Sequence, residues 1–311
     1  MIEQLQQWAA QRGYRIAWGP GSIVERAQHE IETRKSGCEI DGRFFEHELK
    51  SIVGGEPAVS SRSVLIVAMP RPAHVVHFDV DGKDFEALMP PTYFRYRATF
   101  EDVRMDLAEN GLPGAGLEHL SAPLKATAGY LGLIQYGRNN ISYAEDLGSY
   151  IQLCGYWVDA SLPQIREIRT VSLLRQCENC GICASVCPTD AISEERVLLR
   201  AERCLTFLNE NPGDWPGWVS PHTHNCLLGC LECQRACPAN PELRIEDTGL
   251  SFSAAETRWL LSPESTADER AETGIRAKLA WLGQPYVESV LGRNVRALLQ
   301  SNNRFQQANL P

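Results

Sequence analysis

The chemistry of this chain is carried by cysteine. Of its 11 cysteines, four stand as Cys177-x2-Cys180-x2-Cys183-x3-Cys187-Pro188 and three more as Cys230-x2-Cys233-x3-Cys237-Pro238. Thiolates repeated at every third residue, followed by one more before a proline, wrap an iron–sulfur cluster, and that last thiolate reaches across to a second cluster. By this rule one 4Fe-4S cluster takes Cys177, Cys180, Cys183 and Cys237. The other takes Cys187, Cys230 and Cys233 and is one ligand short. Cys226 stands four residues before Cys230 where the pattern asks for three, and Cys204 competes with it; spacing leaves both open. Two clusters that exchange ligands lie close together, so the region reads as an electron relay, and the spacing argues against a disulfide or zinc reading.

Such a relay needs a scaffold, and the bulk properties allow one. The chain has 311 residues, 43% of them hydrophobic, enough for one large domain or two ordinary ones. No stretch approaches the roughly 20 apolar residues of a membrane helix. The polar, acidic start at Met1-Ile2-Glu3 is unlike a signal peptide, and thiolates kept free for iron suit a reducing compartment, so a cytoplasmic location is expected. A formal charge of -9 argues against nonspecific nucleic-acid binding. Arg95, Arg97 and Arg104 read as solvated side chains beside a helix.

Helix and strand patterns alternate ahead of the cysteines. Residues 2–12 form an amphipathic helix pattern stopped by Gly13, residues 14–18 a short strand, and residues 22–37 a second helix. The apolar run 63–69 before Pro70 suits a strand buried on both faces, central in a sheet. Asp81-Gly82 is a hairpin turn between 76–80 and 85–89. Helices are expected at 99–110 and 122–128, and a strand at 149–159, with Cys154 as a small hydrophobe inside it. The tail offers helices at 254–261, 267–282 and 286–299 and a polar arm at 301–311. The predicted architecture is a mixed α/β domain over 1–170, a ferredoxin-like two-cluster module over 171–245, and a helical segment over 246–311 that packs on the first domain.

This arrangement resembles the epoxyqueuosine reductases, relatives of the reductive dehalogenases that join a cobalamin-binding α/β domain to a double-cluster module. The specific stretches are Cys177 to Pro188 with Thr189-Asp190-Ala191-Ile192, then Arg203-Cys204-Leu205-Thr206-Phe207-Leu208, then Gly229-Cys230-Leu231-Glu232-Cys233-Gln234-Arg235-Ala236-Cys237-Pro238. The resemblance implies that Cys204, not Cys226, completes the second cluster. It also implies a corrinoid lined by Ser121, Ala122, Pro123, Gly132, Gly137, Arg138, Asn139 and Asn140, in the segments Ser121-Ala122-Pro123-Leu124, Gly129-Tyr130-Leu131-Gly132 and Gly137-Arg138-Asn139-Asn140. Glycine backbone can approach a flat macrocycle closely.

The chain departs from the resemblance in two places. Those reductases carry an aspartate, the proposed proton donor, immediately before the Ser/Thr-Ala-Pro motif, where this chain has Leu120. They also commonly carry a C-terminal helical-repeat extension. These departures direct the expectation toward a cobalamin-dependent reductase of a small or unidentified substrate. The alternatives are epoxyqueuosine in tRNA, with a relocated proton donor, and an electron-transfer or corrinoid-reactivating protein. Glu118 and His119 are the nearest substitute proton donors, with Tyr93, Tyr96, Tyr136 and Tyr143 further off. His74 and His77 are candidate corrinoid or substrate contacts. Reduced ferredoxin or flavodoxin is the expected electron donor. Anaerobically purified protein should carry about eight irons per chain, counted chemically and by paramagnetic resonance; about four would sink the two-cluster reading.

Overall fold

The apolar run that follows residue 62 becomes an inner strand of a four-stranded sheet, and both of its faces are covered. The structure, a computed structural model, describes all residues except 54–62, 164–167, 169, 197, 263–268, 285–287 and 303–311. The first unit runs α1 (Ile2–Gln11), β1 (Arg15–Pro20), α2 (Ser22–Ser36), α3 (Gly42–Phe44), a π-helical turn Phe45–Leu49, and α4 (Lys50–Val53). It continues with β2 (Ser63–Pro70), β3 (Ala73–Val80), β4 (Lys83–Met89), α5 (Tyr96–Asp106), β5 (Leu117–His119), α6 (Leu124–Tyr130), β6 (Ile134–Tyr136), β7 (Ser142–Ala144) and β8 (Ile151–Val158). The main sheet has the order β1-β2-β8-β5.

Successive side chains of a strand point to opposite faces, which explains why β2 is apolar throughout. Leu65 and Val67 join Leu5 and Trp8 of α1 and Leu107 after α5, together with Cys154 and Tyr156. Val64, Ile66 and Ala68 meet Ile23, Val24 and Ala27 of α2 and Ala126 and Ala128 of α6 on the other face. Helices therefore cover the sheet on both sides, as the pattern predicts. Its strands, however, all pair antiparallel, so the alternation of helix and strand does not signal crossover units. The fold is α+β in character.

The cluster module contains little regular structure: α7 (Ile182–Ser185), α8 (Leu205–Glu210) and α9 (Glu232–Arg235). The chain then forms β9 (Ile245–Phe252), followed by α10 (Ala254–Leu261), α11 (Glu269–Leu282) and α12 (Glu288–Ser301). β9 escapes the sequence reading because Ile245-Glu246-Asp247-Thr248 lacks alternation and is mostly exposed. It pairs parallel with β3, and with β4 on the far side gives the order β4-β3-β9. Apolar residues of α10, α11 and α12 cover this second sheet, and the Phe78 and Phe252 rings stack at 4.7 Å. A capping box starts α10, with the Ser253 side chain and Glu256 each bonding the other's backbone N–H. The expected terminal arm lies, from 303 on, outside the described residues.

His77 fastens β9 to the hairpin. Its Nδ1 lies 2.9 Å from Asp84 Oδ2 and its Nε2 3.2 Å from Asp247 Oδ1, beside a register shift in the β3–β9 ladder. The hydrogen bond to Asp84 raises the His77 pKa against a weaker effect of burial. A raised folded-state pKa adds stability that is fully present below the unfolded value of about 6.5 and is lost as pH rises through the folded value. The melting temperature of wild-type protein should therefore fall across that window relative to His77→Gln. The differential should be no more than about 4 °C, because the carboxylates are exposed.

Candidate iron–sulfur centre and the recess beside it

Short helical turns present several of the thiols. Cys177 closes one 3₁₀ turn, Cys183 sits in α7, and Cys233 in α9. Every cysteine is free of disulfide bonding. Cys183 is pushed up to about 11 by burial and then by Cys177, Cys180 and Cys237. Cys233 is raised by burial and then by Cys230, Cys204, Cys187 and Cys183. Burial raises Cys204 too, with Cys187 contributing, and takes Cys230 to about 11. The thiols thus feel one another as two abutting quartets, Cys177, Cys180, Cys183 and Cys237 beside Cys187, Cys204, Cys230 and Cys233. One zinc ion with bonds of 2.3 Å would hold tetrahedral sulfurs about 3.8 Å apart. Among the described residues the only metal-competent group within 4.8 Å is His77, Asp84 and Glu86, so the thiols are spread too widely for single ions. Two quartets of soft donors at wider spacing fit iron–sulfur clusters.

Cys226 is placed differently. It is fully buried beside Ala73 and Leu231, and its Sγ donates to Asn225 Oδ1 at 3.1 Å. Asn225 in turn donates to Cys230 Sγ at 3.3 Å, and the Ala191 N–H donates to Cys187 Sγ at 3.3 Å. Hydrogen bonds of this kind to sulfur tune cluster potential.

The module is tied to the first unit by directed bonds. Arg138 donates to the carbonyls of Cys177 at 3.0 Å and Glu194 at 3.1 Å. Asn240 accepts from Ser149 N at 2.7 Å and donates to Ser149 Oγ at 2.9 Å, and Gln234 also bonds Ser149. Tyr143 accepts from Asn139 at 3.0 Å, and burial followed by its hydrogen bond to Cys237 raises its pKa.

Solvent reaches a protein-walled recess at Lys125, on the side of Cys204. The Lys125 Nζ donates to the Asn140 carbonyl at 2.6 Å and lies 5.4 Å from the Tyr136 ring centre. Desolvation lowers Lys125 to about 8, against the opposing field of Cys204. Glu210, at the end of α8, is likewise enclosed yet still reached by solvent. It is raised to about 7 by burial, held down in part by its hydrogen bond to Tyr93, and pushed further by Glu48. Residues 39–48 reach across to α8. Arg196 donates to the Glu39 carbonyl at 2.9 Å, and the Phe44 and Phe207 rings meet at 5.5 Å.

The residues expected to line a corrinoid divide. Ser121 is exposed and Pro123 buried. Gly132 has φ +68, a conformation that favours glycine, and Asn140, with φ 60, turns its carbonyl to Lys125. Ala122 packs in the core with Leu120. Gly137 leaves no room for a Cβ beside Asn139 and Tyr143, which lie 2.4 and 2.5 Å from it. Arg138 and Asn139 are committed to the module and to Tyr143. Glu118 is exposed on β5. His119 bonds Glu101 at 3.0 Å, a carboxylate brought to about 2 by Arg104 and then His119. His74 is buried against Phe94 at 4.4 Å and lowered to about 4 by desolvation. Sequence reasoning missed Lys125 and Glu210, whose only signal is a charge inside an otherwise apolar helix.

A sequence model described as "4Fe-4S double cluster binding domain" matches residues 176–240. The fold and thiols define a double-cluster iron–sulfur protein. Epoxyqueuosine reductase of Aliivibrio fischeri is 34% identical over 40% of this chain and 33% of its own length. That of Pseudomonas aeruginosa is 31% identical over 58% of this chain and 47% of its own length. The matched chain thus spans about half or less of these two relatives. The epoxyqueuosine reductase structure from Streptococcus thermophilus superposes with TM-score 0.69 at 15% identity, covering 97% of this chain and 82% of that one. An epoxyqueuosine reductase solved with a tRNA-Tyr epoxyqueuosine-modified stem loop gives TM-score 0.63 at 17% identity, covering 96% and 80%. Over the matched stretches the chain is similar in sequence to the epoxyqueuosine reductases, and it shares their fold. Among the described residues no helix is long and apolar enough to cross a membrane.

The two disputed thiols separate experimentally. Cys204→Ser should lose roughly half the iron and one of two paramagnetic signals, whereas Cys226→Ser should keep both. The opposite result would exchange their roles.

Proposed function

We propose that this chain reduces epoxyqueuosine in tRNA, drawing electrons through two 4Fe-4S clusters into a corrinoid bound in the recess. The observation that carries the reading is the inner thiol quartet, Cys187, Cys204, Cys230 and Cys233, with Lys125 of the first unit standing in the field of Cys204. The names of the curated relatives, and the modified stem loop in one solved neighbour, support tRNA as the substrate. The expectation of a small-molecule substrate rested in part on the loss of an acid at Leu120. That side chain packs into the sheet core, and its N–H donates to the Gly155 carbonyl at 2.9 Å.

In this reading Cys177, Cys180, Cys183 and Cys237 hold the outer cluster, and Cys187, Cys204, Cys230 and Cys233 the one beside the recess. Cobalamin supplies a strongly reducing, nucleophilic metal centre; the chain supplies position, water exclusion and protons. Ser121, Gly132, Asn140 and Lys125 are the groups we assign to holding it, the lysine through its amine and the glycine through close backbone approach. Arg138 and Asn240 keep the relay in register with the recess. A reduced ferredoxin or flavodoxin delivers electrons to the outer cluster.

The test is reconstitution under anaerobic conditions with cobalamin, chemically reduced flavodoxin and an epoxyqueuosine-containing tRNA stem loop. One corrinoid per chain and conversion to queuosine are expected. Absence of corrinoid binding, or binding without conversion of the stem loop, would overturn the reading.

A further inference from the structure

Resting on that reading, we infer that Tyr93 and Glu210 form the proton source of the recess, in place of the carboxyl that Leu120 does not provide. The Tyr93 hydroxyl is hydrogen-bonded to Glu210 Oε1. Tyr93 follows β4, and its ring covers Gly229, where an added Cβ would lie 2.7 Å from the hydroxyl. Gly229 precedes Cys230, and Glu210 ends the helix that Cys204 begins. At 1.5 Å per residue that helix sets the Glu210 backbone about 9 Å from the Cys204 backbone. The pair therefore stands beside the inner quartet.

Its surroundings favour the protonated acid. The end of a helix carries negative partial charge, which disfavours a carboxylate. Glu48, across from it on the π-helical turn, adds like charge. The nearby cations are engaged elsewhere. Arg293 of α12 donates to the Leu208 and Asn209 carbonyls at 3.0 and 3.3 Å, and Arg43 lies over the Phe207 ring at 5.6 Å. Asn209 is locked by its own bond to the Gly229 carbonyl at 2.9 Å. Gln284 donates to the Tyr93 carbonyl and fixes the backbone of the donor. The carboxyl comes to about 7, the range in which a general acid both holds and releases its proton at cellular pH.

Converting an epoxide to an alkene breaks both C–O bonds of the ring and releases its oxygen as water. The reaction consumes two electrons and two protons. The electrons come one at a time from the external reduced iron–sulfur or flavin protein through the relay. Tyr93 passes its hydroxyl proton to the departing oxygen, and Glu210 returns a proton to Tyr93. The carboxylate left behind is reprotonated from water in the recess, which also supplies the second proton.

The experiment compares wild type, Glu210→Gln and Tyr93→Phe as anaerobic holoprotein. Difference infrared spectroscopy should show a protonated-carboxyl stretch that disappears as pH rises through about 7 and is missing in Glu210→Gln. With the epoxyqueuosine stem loop, wild-type kcat should fall as pH rises through the same point. Both variants should lose about 10²-fold or more in kcat, with KM and cluster spectra unchanged, and Glu210→Gln should have a flat pH profile. A wild type that shows the titrating band but turns over no stem loop overturns the proposed function. Wild-type turnover with an unaltered Glu210→Gln rate and pH profile, or no titrating band, overturns the proton assignment alone.

Discussion

Thiols that must ionise to bind iron are buried here in one another's fields, and much of the structure follows from that conflict. Cys183 and Cys230 are each raised to about 11 by burial, with neighbouring thiols adding to it. Both therefore favour the neutral thiol, in loops with little regular structure. Because the ligand form is the thiolate, cluster binding and folding of this region are thermodynamically one process. The Asn225 N–H aimed at Cys230 favours the charged form and partly offsets the cost of burial.

Loops of this kind cannot fix their own position, so both flanking units hold them. Arg138 and the Ser149–Asn240–Gln234 set attach them to the first unit. From the other side, Asn294 of α12 donates to the carbonyls of Asn209 and Leu227, both at 3.0 Å. These partners are mostly side-chain amides and a guanidinium meeting backbone carbonyls, which fixes direction as well as distance. Electron transfer depends steeply on separation, and these bonds set how far the inner quartet lies from the recess. Asn294 is fully buried, so replacing it would also cost the Leu227 carbonyl its side-chain donor.

What could be read from the sequence was whatever local spacing encodes. The cysteine rhythm, the apolar run of β2 and the Asp81-Gly82 turn each depend on a few adjacent residues, and each reads correctly in kind. β9 was invisible because its stability comes from β3 and from the helices behind Phe252, while its own residues are largely polar and exposed. The antiparallel sheet was missed for a related reason, since strand direction is a property of connections and not of side-chain pattern. Glu210 and Lys125 could not be singled out because a charge acquires an unusual pKa only from atoms distant in sequence. Leu120 was legible as a missing acid, but its orientation into the core was not.

The net charge invited a stronger conclusion about substrate than it can bear. A formal -9 spread over 15563 Å² acts on a phosphate only through charges within about 8 Å at physiological ionic strength. Affinity for a polyanion is set by the cations at the contact, with the rest screened. Around α8 those cations are several: Arg43 over Phe207, Arg203 over the half-exposed Trp218 at 4.6 Å, and Arg196 at residue 39. An indole paired with a guanidinium offers a face on which a base can stack. The acidic balance therefore argues against nonspecific coating of RNA, while a single contact is governed by the charges within a Debye length of it.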